Sequence, residues 1–184
     1  SEASEIIRRT LGEQHGYYLA TLNQIGLAND ALGNTDEAAA IYRQTLDHAD
    51  AVEPKYRIFI AQAATYLGKI LIQRKNFDEA GIYLNKAETI YREVLGDSNP
   101  SIALIKQYSG KIHIQRRDYE RAIRELSESY EIFSRSLPPD NALVLRSRVA
   151  LGLALARAGK VADAERTLLA AQLAVAKTLP PESL

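Results

Sequence analysis

Two short runs carry side chains able to recognise a ligand. Tyr66, Lys69 and Gln73 are spaced i, i+3, i+7, which places them on one face of a helix. Tyr108, Lys111 and Gln115 repeat the set 42 residues later. Amides hydrogen-bond a peptide backbone, ammonium groups meet carboxylates, and phenol rings stack on other side chains. Asn23, Thr65 and Gln107 hold one equivalent position in successive copies of the pattern, and Arg146 and Arg157 add cations further along. Together these eleven residues are expected to bind an acidic or carboxylate-bearing peptide, with an aromatic anchor as an option. Tyrosine at helical spacing also serves ordinary packing, so the pattern by itself leaves both roles open.

Catalytic chemistry is not expected. The chain has no cysteine, which removes thiolate catalysis, disulfides and cysteine-ligated zinc. His15, His48 and His113 share no metal-binding spacing, and His113 stands where Leu71 and Leu155 stand, so it reads as a packed or half-buried residue. Gly152 sits inside a helical pattern rather than in a phosphate-binding loop. The paired acids Asp78 and Glu79 fall in a first helical turn, where acids favour the helix dipole. No nucleophile–base–orienter set is available, and no cofactor or metal is expected.

The elements that would position the recognition set follow from a strict repeat. Gly26, Gly68, Gly110 and Gly152 are 42 residues apart, and Ala38, Ala80, Ala122 and Ala164 keep the same spacing. A short polar turn lies between each glycine and its alanine, as in Arg74-Lys75-Asn76 and Arg116-Arg117-Asp118. A period in this range marks stacked supersecondary units. The small residues let two helices approach closely, and larger side chains there would over-pack the pair. Each unit reads as two helices. The first complete helix spans 17–32, and second helices are expected at 36–50, 78–95, 119–136 and 161–178. Asn34 with Glu37 and Asn76 with Glu79 resemble capping boxes, Asp118 keeps the cap, and Lys160 breaks it. Prolines 54, 100, 138, 139, 180 and 181 close the repeats. No segment alternates with period two, so no sheet is expected.

Net charge is zero, with 23 basic and 23 acidic residues, so only its distribution can inform. Windows 55–75, 101–117 and 141–160 hold thirteen basic residues and no acid. All three are first helices with their turns. A surface built from them is expected to be basic and to attract anions. Nucleic acid is not expected as a partner, because aromatics are few and the total charge is zero. No run of 18 apolar residues is present, so no membrane span is expected, and a cytoplasmic protein is. Methionine is absent even at the start, which points to a processed or excised piece.

Leu67-Gly68, Phe77 and Ala80, then Ser109-Gly110, Tyr119 and Ala122, resemble the tetratricopeptide repeat. With the 42-residue period and Leu95-Gly96-Asp97-Ser98-Asn99-Pro100, the chain is similar to the long subclass found in kinesin light chain and in bacterial signalling proteins. The loop 49–55 lacks Leu-Gly and the usual first-helix tryptophan is missing. The resemblance implies an all-α, right-handed α-α superhelix of four helix pairs plus an N-terminal partial helix. First helices would line its concave side. The expected division is 1–12 partial repeat, then 15–54, 55–97, 98–138 and 139–184, in one continuous domain. The implied function is a non-catalytic protein–protein interaction module with an acidic peptide in a basic groove, as kinesin light chain uses. The carboxylate clamp of chaperone-binding relatives does not carry over, because its positions do not recur in order. The alternative is a regulatory sensor segment of a larger bacterial signalling or transcription protein, binding a small ligand or packing on an effector domain. Uncapped terminal repeats would allow self-association.

Overall fold

The computed structural model describes residues 2–13 and 15–176. It is helical throughout, with no strand among the described residues. The chain divides into two compact units at Gly96–Asp97. The first contains α1 (Glu2–Leu11), α2 (Gly16–Ala31), α3 (Thr35–Leu46), a short 3-10 turn (Pro54–Tyr56), α4 (Arg57–Gln73) and α5 (Phe77–Leu95). The second contains α6 (Pro100–Gln115), α7 (Tyr119–Ser136), α8 (Ala142–Arg157) and α9 (Val161–Ala176). Within the units, α2/α3, α4/α5, α6/α7 and α8/α9 are hairpins, and α4 and α8 each pack on the hairpin before them.

Each hairpin is built around its glycine. A Cβ on Gly26 would come within 2.6 Å of the Tyr42 ring, and one on Gly110 or Gly152 within 2.6 Å of Leu126 or Leu168. The helices therefore touch where the sequence is smallest. Ala38, Ala80 and Ala122 are fully buried there, and Ala164 nearly so. The turns share one geometry as well. Gly33, Lys75, Arg117 and Gly159 all have φ near +60 to +84, from 59 at Arg117 to 84 at Gly33. The next backbone N–H reaches back to the first helix: Asn76 to the Leu71 carbonyl and Asp118 to His113, both at 2.9 Å. That is the bonding of a Schellman-type helix stop.

Three local expectations are corrected. Asn34 and Asn76 make no side-chain cap hydrogen bond. The amide of Asn76 donates to Glu79 instead, at 2.6 Å, and that of Asn34 to Asn29 at 3.3 Å. Of the three expected caps only Asp118 accepts a backbone N–H, from Arg121 at 3.3 Å. The second helix of the first pair ends at Leu46, not at 50, because His48, Ala49 and Val52 close successive turns ahead of Pro54. The end of the last repeat, with Pro180 and Pro181, lies outside the described residues.

Candidate functional site

The sequence-predicted residues divide between the two units, and their fates differ. In the first unit most are spent on packing. Asn23 is 1% exposed, and its Nδ2 donates to the Phe59 carbonyl at 2.8 Å and to Gln62 Oε1 at 3.4 Å. Thr65 is 3% exposed and donates to the Ala61 carbonyl one turn back. Tyr66 stacks on Tyr42, centroids 5.5 Å apart and planes 28° apart. Lys69 Nζ pairs with Asp30 Oδ2 at 2.6 Å, and the Asp30 side chain is only 12% exposed. Gln73 alone remains exposed. These residues tie α4 to α2 and α3 and leave little for a ligand.

The second unit keeps its set open. Gln107, Tyr108 and Lys111 from α6 and Arg146 and Arg157 from α8 line one pocket of about 490 Å³. Ile114, Leu126, Leu145, Val149, Ala150 and Leu153 complete its lining, which contains no carboxylate. Lys111, Arg146 and Arg157 are exposed and have no ion-pair partner among the described residues. Gln107 Nε2 is buried without a hydrogen-bond partner among them. Gln115 is exposed on the same helix but is not part of the lining. On α8, Arg146, Val149, Leu153 and Arg157 follow i, i+3, i+7, i+11, so two aliphatic side chains sit between two cations on one face.

The same positions in the two units, 84 residues apart, explain the difference. Asp30 and Lys69 correspond to Ile114 and Leu153, so an ion pair becomes an apolar lining. Tyr42 and Tyr66 correspond to Leu126 and Ala150, so a stacked aromatic pair becomes a hollow. Gln62 corresponds to Arg146. Gln62 Oε1 accepts from Asn23 at 3.4 Å beside the Phe59 carbonyl at 2.8 Å; the guanidinium in its place offers no acceptor, and Gln107 Nε2 has no partner among the described residues. The pocket residues Ile114, Leu126, Leu145, Val149, Ala150 and Leu153 were missed by a search for repeated polar residues. The signal at Leu145, Val149, Ala150 and Leu153 is the break in the repeat at α8, whereas Ile114 and Leu126 simply repeat Ile72 and Leu84.

The acid-free windows do not make an unneutralised surface. Acids from other segments of the same unit meet many of their cations. Arg57 pairs with Glu93 at 2.6 Å, Arg74 with Asp36, and Lys160 with Glu120 at 2.9 Å. Lys106 is 8% exposed and lies 3.2 Å from both Glu125 and Glu128. Arg148 lies over the Tyr130 ring, 4.8 Å from its centroid, and donates to the Ala170 carbonyl at 3.1 Å. His113 is half-buried near Asp118, at 3.7 Å, as its leucine-equivalent position implied. Among the described residues no group of three or more His, Cys, Asp or Glu could hold a metal ion. No described helix is long and apolar enough to cross a membrane.

Two family models, both described as tetratricopeptide repeat, match residues 1–51 and 60–101. No curated protein sequence matches the chain. The crystal structure of BtubC (BKLC) from P. vanneervenii is similar over 98% of this chain and 72% of that one, with a TM-score of 0.84 and 19% identity. Two structures of a Podosopora anserina putative kinesin light chain with nearly identical TPR-like repeats, one a point variant, are similar over 96% of this chain and 84% of theirs. Their TM-scores are 0.75 and 0.73, each at 20% identity. These likenesses give the fold class: an all-α, right-handed solenoid type with one partial helix and four helix pairs.

Proposed function

We propose that this chain, which belongs to the tetratricopeptide-repeat family, is a non-catalytic interaction module that receives an acidic peptide segment in the α6–α8 pocket. One observation carries the reading. Five of the eleven residues expected from sequence line a single pocket with no carboxylate in its lining. A carboxylate entering it meets Lys111, Arg146 or Arg157 without displacing an acid already paired there. An apolar side chain of the same segment covers Val149 and Leu153, which are 39% and 50% exposed. Charge-assisted hydrogen bonds would fix orientation, and the aliphatic lining would supply burial. The 42-residue period and the Leu95-Gly96 loop support membership of the long, kinesin-light-chain-like subclass.

The test is a peptide array probed with wild-type chain and with the Lys111→Glu/Arg146→Glu double variant. Capture of acidic peptides by the wild type, lost in the double variant and weakened by raised salt, is the expected result. Equal capture by both proteins would remove the pocket from the function.

A further inference from the structure

We infer that the hollow in the second unit also takes a free aromatic carboxylate of small size, which competes with a peptide for the pocket. The inference uses the same pocket as the reading above but does not require a peptide to bind there. The chain itself gives the shape. In the first unit the Tyr42 and Tyr66 rings fill this place, 5.5 Å apart and 28° from parallel. At the equivalent positions the second unit has Leu126 and Ala150, and about 490 Å³ stays open. What has been removed is aromatic volume, so a flat ring from outside restores the packing that the other unit makes internally.

The polar groups specify the rest of the ligand. Gln107 lines the hollow, and its Nε2 is buried with no hydrogen-bond partner among the described residues. Lys111 and Arg146 line the same hollow, and no acid does. A negatively charged acceptor on the aromatic body meets Lys111 or Arg146 in the lining, and a turn of the Gln107 side chain gives its amide the same acceptor. A carboxylate does both, because it accepts from an amide and from a guanidinium or ammonium at once. The volume falls in the range of about 300–1,000 Å³ usual for small-molecule sites, so no flanking peptide is needed to account for it.

The probe is 2-naphthoate, titrated calorimetrically into the whole chain, with decanoate as the aliphatic control and an array-selected acidic peptide as the competitor. Naphthoate is expected to bind one to one, more tightly than decanoate, and to displace the peptide. Ala150→Tyr, which refills the hollow as Tyr66 does, and Lys111→Glu are each expected to weaken it about tenfold or more. Circular dichroism checks that both variants keep their helix content. If Ala150→Tyr does not fold, Lys111→Glu and Arg146→Glu, both at exposed positions, decide the matter. Naphthoate binding that is unchanged in the folded variants, or no stronger than decanoate, overturns the inference. Peptide binding without naphthoate binding overturns the inference and leaves the peptide reading intact. If neither ligand binds, both fall.

Discussion

A pair of glycine-to-alanine changes isolates close helix contact from helix propensity. Gly110 and Gly81 both lie inside helices, α6 and α5. In an isolated helix either substitution gains about 1 kcal/mol, because alanine loses less backbone freedom. The surroundings then decide. A Cβ on Gly81 meets nothing within 4 Å, whereas one on Gly110 falls 2.6 Å from Leu126 Cγ and 2.8 Å from its Cδ2. Leu126 is 1% exposed and packed with Ala122 and Ala154, and the clash reaches its Cγ, so relief requires the whole side chain to leave that packing and shift into the hollow it lines. Over-packing of that kind costs about 1–3 kcal/mol. Gly81→Ala should therefore gain up to about 1 kcal/mol, and Gly110→Ala should lose up to about 2 kcal/mol net. Urea unfolding followed by circular dichroism measures both, with the denaturant slope as a check that the unfolded state is comparable. Equal stabilisation by both changes would refute the claim that the repeated glycines mark helix contact.

Other changes probe separate contacts. Tyr42 is fully buried and its hydroxyl has no hydrogen-bond partner among the described residues. Burial, with the Asp30 charge adding, holds its phenol well above the ordinary range. Tyr42→Phe should thus leave stability unchanged or raise it by about 1 kcal/mol, and a clear loss by thermal melting would point to a missed bond. Lys75 and Arg117 hold the left-handed turn that Gly33 and Gly159 hold elsewhere. Lys75→Gly and Arg117→Gly should each stabilise by about 1 kcal/mol in urea unfolding, and destabilisation would contradict the strain. Glu5 accepts hydrogen bonds from Arg8 and then Arg9, which lower its carboxyl to about 2. Its folded value is below the unfolded one of about 4.3, so its support of α1 is complete above that pH and fades as pH falls toward 2. A carbon-detected NMR titration of Glu5 should follow that course, and a midpoint near 4.3 would contradict it.

Strict recurrence made the scaffold readable in advance. The glycine-to-alanine interval fixed each hairpin, since both residues have to be small where the helices meet. Lysine in a left-handed turn could still be placed by analogy with Gly33. Side-chain partnerships were not readable in that way. Asn76 looks like a cap, but its amide has Glu79 within reach on the following turn. Lys69 and Lys111 are equivalent in sequence, yet only Lys69 has Asp30 at hand. Acid-free first helices suggested a one-signed surface because the acids that neutralise them come from other segments, distant in sequence and close in space. The pocket was half visible. Lys111 follows the repeat from Lys69, but Arg146 and Arg157 stand where Gln62 and Gln73 stand, and the hollow opens where Ala150 breaks the Tyr66–Tyr108 recurrence; a search for recurrence passes over such departures.

The central claim is that the second unit, through Lys111 and Arg146, holds the ligand while the first unit's Lys69 is occupied by Asp30. Fluorescence anisotropy of a labelled acidic peptide against wild type, Lys69→Gln and Lys111→Gln measures this directly. The account predicts near-wild-type affinity for Lys69→Gln and a loss of about tenfold for Lys111→Gln. Loss confined to Lys69→Gln, or none in either variant, would contradict it.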